Sequence, residues 1–309
     1  MKLSLSGTPL IWNMDHGALV THARRAADAG YFRYHLAEAP TGGFDVLTAL
    51  VAIGVSAPEL RVASAIVPTW PRHPMVIAAQ TITAQNILGG RLTLGLGLSH
   101  EPMITEPMGI AFDRPVRHLI EYLDVLVPLL AGEDVDYRGE LVRLSSGLTN
   151  RPEHPTDILV AALGAQTLRV TGSRVAGTTL TWVGANTIRD HVVPTISDAA
   201  RRADRPAPEV VASLPVSVTS RAEEVRDRAQ GEWGYARMPS YLAMFEREGV
   251  AGAGDLVLIG DEDEVTEQLG TFAAVGVTEF VAKEFTPFPE DGPRTRALLD
   301  RLAGEMNGS

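Results

Sequence analysis

A (β/α)8 barrel is the fold this sequence predicts, and three observations carry the prediction. Short apolar runs rich in Val, Leu, Ile and Thr recur eight times along the chain, and amphipathic stretches separate each run from the next. Most runs lack strict apolar–polar alternation, as parallel strands buried on both faces do. The 309 residues suit eight strand–helix units with insertions, whereas an open doubly wound sheet more often uses about six strands. A single domain over residues 1–309 is expected.

The predicted strands are Leu3–Ser6, Tyr31–Ala37, Leu60–Ile66, Leu92–Leu96, Ile158–Ala162, Thr178–Val183, Val210–Val218 and Thr278–Ala282. Pro215 removes a ladder donor from the seventh and predicts a bulge there. Gly30 is placed to stop the helix containing Leu19, Ala23 and Ala26. Pro74 after His73 marks a helix start. Val116, Leu119, Ile120, Leu123, Leu126, Val127 and Leu130 repeat at helical spacing, with Asp113 available as N-cap and Pro128 expected to kink or shorten the last turns. Ser220 with Glu223, and Asp261 with Glu264, have capping-box spacing. Two stretches exceed a simple unit. Asp134–Pro155 reads as a small hairpin around Gly139, and Pro239–Ile259 as a second insertion.

Lys+Arg total 27 against 38 Asp+Glu, a net charge of −11. An acidic surface disfavours nucleic acid and anionic membranes as partners. A hydrophobic fraction of 45% is ample for a core. The chain has no cysteine, which excludes disulfides, thiolate nucleophiles and Cys-ligated metal. No secretory pattern opens the sequence and no apolar run approaches the roughly 18 residues of a membrane span, so a soluble, unprocessed, cytoplasmic protein is expected. Lysine occurs only at Lys2 and Lys283, a bias of the kind GC-rich codons produce and given no functional weight.

In a barrel of this kind the reacting groups lie at the carboxyl ends of the strands. That shortlist includes Gly7–Pro9, Glu38 and Ala39, Ser64–Thr69, Gly97–His100, Leu163–Gln166 and Trp182–Gly184. The run Gly95-Leu-Gly97-Leu-Ser99-His100 lacks the third glycine of a dinucleotide fingerprint, and no helix start lies directly behind it. Its glycines suit close approach of a flat ligand, or tight strand packing. The turn Leu163-Gly164-Ala165-Gln166 leads into a helix whose free amides suit a phosphate, as any such turn does. His35 reads as a core histidine, and His22 and His118 fall on outer helices. His100 sits at the mouth with an ordinary pKa suited to proton transfer, and a loop histidine bonded to a carbonyl is the equal alternative. Glu38 is the other mouth candidate. No Ser-His-Asp set and no paired metal ligands appear, so no metal is expected and redox chemistry needs an organic cofactor.

The stretches Ala63–Gln80 and Gly90–His100, with Asp157–Gly172, Gly260–Val265 and Gly276–Phe280, resemble the luciferase-like monooxygenase superfamily across nearly the whole chain, and more closely its coenzyme F420-dependent branch. The resemblance implies the bacterial-luciferase-like form of the barrel, with a tricyclic ring across its mouth. It implies a non-prolyl cis peptide at Ser64–Ala65, with Ile66 completing the bulge that props the ring. Gly97, Leu98, Ser99 and His100 would border the ring, and the turn Leu163, Gly164 and Ala165 would hold the cofactor phosphate. Relatives often carry a polar side chain where this chain has Ala39, so His100 becomes the better proton donor, with Glu38 beside it. The implied activity is hydride transfer between deazaflavin and a small organic substrate. That means reduction of C=C or C=N, or the reverse oxidation, in a protein that commonly dimerises. An FMN-dependent monooxygenase and a catalytically silent flavin or deazaflavin carrier are the alternatives.

Overall fold

The computed structural model describes residues 1–11, 15–38 and 43–308. The strands are β1 (Lys2–Ser6), β2 (Arg33–Leu36), β3 (Arg61–Ser64), β4 (Val67–Pro68), β5 (Leu92–Gly97), β6 (Val135–Arg138), β7 (Arg143–Ser146), β8 (Ile158–Ala161), β9 (Gly177–Thr181), β10 (Glu209–Val218), β11 (Leu258–Gly260) and β12 (Glu279–Glu284). Eight of them, β1, β2, β3, β5, β8, β9, β10 and β12, pair in parallel in that order, and β12 returns to β1 to close the barrel. Each contains the centre of one predicted strand.

Side-chain alternation splits every strand between the barrel interior and the helical layer. Leu3, Leu5, Val62, Leu94, Leu96, Val160, Leu180, Val210 and Phe280 face outward and join the main apolar core beneath the helices. The interior is layered. At its amino end the Glu279 carboxylate accepts from Ser4 Oγ at 2.6 Å, His35 Nε2 at 2.7 Å and Arg33 Nη1 at 2.9 Å. Burial opposes the charge on Glu279, but His35, Arg33 and Ser4 outweigh it and hold its pKa below the usual carboxylate range. Leu159, Val211 and Val281 form a small apolar layer above this network, and the mouth begins above them.

Local signals explain most boundaries. Asp15 Oδ1 caps the helix His16–Asp28, and Gly30 at φ +80° turns the chain out of it. Pro74 opens the helix Pro74–Ile87 behind a capping His73. Asp261 and Glu264 form the expected reciprocal box.

Three expectations need correction. The helix Pro115–Leu130 is entered from Arg114 in the left-handed region at φ 49°, not from a capping Asp113, and it runs through Pro128 to Leu130. Thr219 rather than Ser220 takes the free amide before the helix Ala222–Glu232, its Oγ1 accepting from Arg221 N at 3.0 Å. Strand β10 passes Pro215 unbroken. The ladder to β9 ends at Ser213 and the ladder to β11 begins at Val216, so the proline occupies the gap between them.

Both insertions are ordered. β6 and β7 form an antiparallel hairpin, with Gly139 N donating to Val142 O at 2.9 Å. Glu121, on the helix below, pins it by accepting from the amides of Glu140, Leu141 and Val142 and from Arg117 Nε. Burial works against the Glu121 charge, yet these donors bring its pKa down to about 2. The second insertion holds the helix Pro239–Glu248, ended by Gly249 at φ +81°, followed by β11, an extra strand on β10.

Candidate active site at the barrel mouth

Inward positions at the carboxyl end differ across the barrel. On the β3, β5 and β8 side, register and alternation turn Ala63, Gly95, Gly97 and Ala161 inward. On the β9, β10 and β12 side the inward residues are Thr181, Ser213 and Lys283. Half of the cup therefore has walls of hydrogen or methyl, against which Ser64 O and Ile66 Cδ1 pack closely at Gly95 and Gly97. The other half is polar.

The small-walled half is built around a break in β3. Its ladder to β5 stops at Ala63–Thr93. Ser64 Oγ then takes over, donating to Gly95 O at 2.9 Å and accepting from Gly95 N at 2.8 Å. A Cβ on Gly95 would lie 1.9 Å from Ser64 O, so the close approach requires glycine. The cis peptide is Ala65–Ile66, not Ser64–Ala65. Through Ser64 the chain still holds ladder register with Leu36, and Ala65 N donates to Leu36 O at 2.6 Å, so departure from the strand comes one bond later than expected. Ala65 and Ile66 are half-buried and border the opening. A Cβ on Gly97 would meet Ile66 Cδ1 at 2.9 Å and Ala161 Cβ at 3.2 Å. Leu98, Ser99 and His100 continue along the rim, with Ser99 at φ 60°.

Leu163, Gly164 and Ala165 stand at the end of β8. Gly164 occupies the N-cap of the helix Ala165–Arg174 with no side-chain cap, and nothing but Thr167 Oγ1 lies within 4 Å of the Cβ it lacks. The amides of Ala165, Gln166 and Thr167 have no acceptor among the described residues. The neighbouring helix start after Gly184 differs, because Glu248 fills it by accepting from Asn186 N at 3.0 Å and Thr187 N at 2.7 Å. One site carries its own anion and the other is left open to one.

Glu38 joins this arc through its amide, which donates to Ile66 O at 3.3 Å. Its side chain pairs with Arg72 at 2.5 Å, and Arg72 also reaches Asp45 at 2.8 Å. Burial pushes the Glu38 pKa up more than Arg72 pulls it down, and Oε2 is buried without a partner among the described residues. An open cavity of about 310 Å3 lies against Glu38, Arg72, Asp45, Phe44 and Met108. Ala39 lies outside the described residues.

His100 belongs to a different neighbourhood. Its Nδ1 lies 3.2 Å from Ser240 Oγ, and its ring meets Tyr241 edge-on with centroids 4.9 Å apart. Burial lowers its pKa, so the imidazole is neutral at pH 7. An aromatic wall continues from Tyr241 through Tyr235 to Trp182, Trp233 and Phe285. His118 lies on an outer helix as expected, on its buried face. It stacks on Trp70 at 3.8 Å and bonds Thr69 Oγ1 at 3.0 Å, and burial lowers its pKa to about 4.

The structure thus gathers Glu38, Ser64–Ile66, Gly97–Ser99 and Leu163–Ala165 on one arc, while His100 faces the second insertion. Sequence reasoning missed Arg72, Ser240, Tyr241, Thr181 and Lys283. Only Lys283 left a readable signal, as one of two lysines. Among the described residues no group of three or more His, Asp or Glu could hold a metal, and no helix is long and apolar enough to cross a membrane.

The sequence profile described as Luciferase-like monooxygenase matches residues 5–279. The chain belongs to this family. An F420-dependent glucose-6-phosphate dehydrogenase of Beutenbergia cavernae is 26% identical over 261 residues, covering 79% of this chain and 76% of that one. A 5,10-methylenetetrahydromethanopterin reductase of Archaeoglobus fulgidus is 22% identical, covering 97% and 98%. The oxygenating constituent of 3,6-diketocamphane monooxygenase from Pseudomonas putida, solved with FMN, superposes with a TM-score of 0.76 at 18% identity, over 100% of this chain and 98% of that one. This last likeness is one of fold.

Proposed function

We propose that this luciferase-like protein is a coenzyme F420-dependent oxidoreductase that moves a hydride between the deazaflavin and a small organic substrate, reducing C=C or C=N or running the reverse oxidation. The observation that carries the reading is the open helix start at Gly164, beside a cup walled by Ala63, Gly95, Gly97 and Ala161, in a chain whose relatives include an F420-dependent dehydrogenase. When bound, the deazaflavin supplies a ring carbon that gives up or accepts the hydride.

The amides of Ala165, Gln166 and Thr167 are the donors for its phosphate, and Leu163 shapes the entrance to them. Ser64 fixes the backbone that presents Ala65 and Ile66 to the ring, and Gly97, Leu98 and Ser99 border it. His100 is uncharged at neutral pH, and its Nε2 has no hydrogen-bond partner among the described residues, so it is free to exchange a proton with substrate. Glu38 Oε2 likewise has no partner among the described residues, but it is buried and would need the Arg72 pair to shift before it met substrate. The protein is further proposed to work as a cytoplasmic homodimer, which sedimentation equilibrium tests.

Separate fluorescence titrations with F420 and FMN test the cofactor. Tighter binding of F420, and anaerobic reduction of an enone or imine by reduced F420, are expected. Tighter binding of FMN with oxygen-dependent turnover would make the protein a monooxygenase, and F420 binding without turnover across an enone and imine panel would make it a carrier.

A further inference from the structure

The polar half of the mouth contains a cation that no described residue neutralises. Glu279, Val281 and Lys283 share the inward face of β12, and Lys283 stands above Val281 at the open end. Its Nζ donates to Thr181 Oγ1 at 2.7 Å, while Thr181 in turn donates to Ser213 O at 3.2 Å. The Thr181 hydroxyl is thereby locked as an acceptor for the lysine, and among the described residues the ammonium keeps two donors unspent. The Trp182 ring lies 5.5 Å from Nζ and supplies a π-face but no counter-charge.

No carboxylate among the described residues reaches Lys283. Its neighbour Glu284 points to the other side of the strand, where Arg25 at 2.5 Å and Arg296 at 3.5 Å take it. Residues 12–14 and 39–42 contain no Asp or Glu. Arg72, the other cation described at the mouth, is already matched by Glu38 and Asp45. A half-buried ammonium with free donors, fixed by a dedicated threonine and facing the small-walled half of the cup, is built to meet an anion arriving from solution.

We propose that Lys283, held by Thr181, anchors a singly charged carboxylate group of the substrate, against the aromatic wall begun by Trp182. One unmatched positive charge suits one negative charge, and a phosphate dianion would leave a charge unpaired here. The inference rests on the proposed function for the word substrate. The anion site itself is a property of these side chains and can be tested with no cofactor present.

Lysine-selective 13C and 15N labelling gives an NMR spectrum with signals from Lys2 and Lys283 alone. Lys283→Arg assigns them by removing one. At pH 7 and constant ionic strength, benzoate is expected to shift the Lys283 signal saturably and leave Lys2 in place, while the isosteric benzamide moves neither. By calorimetry, benzoate should bind about tenfold more weakly to Lys283→Met and within about threefold of wild type to Lys283→Arg. An unmoved Lys283 signal, equal responses to benzoate and benzamide, or a tighter response to inorganic phosphate than to benzoate would overturn the proposal. The wild-type spectrum decides the matter even if a variant fails to fold. Failure of F420 to bind would sink the proposed function and leave this result standing.

Discussion

Replacing Ser64 with alanine isolates the device that shapes the small-walled half of the mouth. The Ser64 hydroxyl makes two buried hydrogen bonds to Gly95, at 2.9 and 2.8 Å, in place of ladder bonds that β3 no longer makes beyond Ala63. Alanine removes both and leaves the Gly95 amide buried without its acceptor, a loss of about 2–3 kcal/mol. Unfolding entropy of about 2 cal/mol/K per residue converts this, for 309 residues, into a Tm lowered by about 3–5 °C. Ala65 and Ile66 follow directly, so F420 affinity should fall as well, by about tenfold if half of that free energy is spent on positioning them. Differential scanning calorimetry reads the first effect and fluorescence titration the second. A Ser64→Ala protein that melts within a degree of wild type and binds F420 equally well would refute the reasoning, because the hydroxyl would then hold nothing.

Three further outcomes follow from the same geometry. Glu121→Ala leaves the amides of Glu140, Leu141 and Val142 without their acceptor, so the hairpin should become rapidly exchanging in hydrogen-exchange mass spectrometry, with a stability loss of about 3 kcal/mol. In the wild type the Glu121 contribution is complete above the unfolded carboxylate pKa and disappears as pH falls from about 4.5 towards about 2, which acid denaturation of the two proteins should show as converging stabilities. Burial holds the Lys283 pKa down to about 8, so the native state sheds its proton before the unfolded chain does; stability should rise with pH between about 8 and 10.5, and Lys283→Met should melt higher than wild type at pH 7, a gain that urea titrations should find gone above about pH 10.5.

The barrel was legible because its evidence is spread over many residues. Each strand needs only an apolar run, and each connection only a helical period, so an error of two residues at an end leaves the topology intact. Val183 was assigned to the sixth strand although Trp182, at φ 58°, has already left it, and the order of strands did not change. Capping was less secure. Asp261 caps its helix as expected, while the helix Ala222–Glu232 starts one residue later than a Ser220–Glu223 box requires, with Arg221 at its N-cap and no side-chain cap, because spacing alone does not say at which residue a helix begins.

The mouth divides along the same physical line. Its small-walled half is made from consecutive residues at strand ends, Ser64 to Ile66 and Gly97 to Ser99, and short sequence patterns reach them. Its other half is made by convergence of distant segments. Ser240 and Tyr241 arrive from an insertion 140 residues beyond His100, and Lys283 meets Thr181 across 102 residues of chain. Nothing local in either sequence specifies such a meeting; it is fixed only when barrel closure sets the register of β9, β10 and β12 against one another. The placement of Lys283 then has a cost of its own, since a half-buried ammonium without a counter-ion among the described residues lowers stability at neutral pH. A position that only filled space would be better served by methionine. The proposed substrate carboxylate supplies the compensating anion in the working state, so the stability gained by Lys283→Met and the benzoate affinity it loses should appear together in one variant.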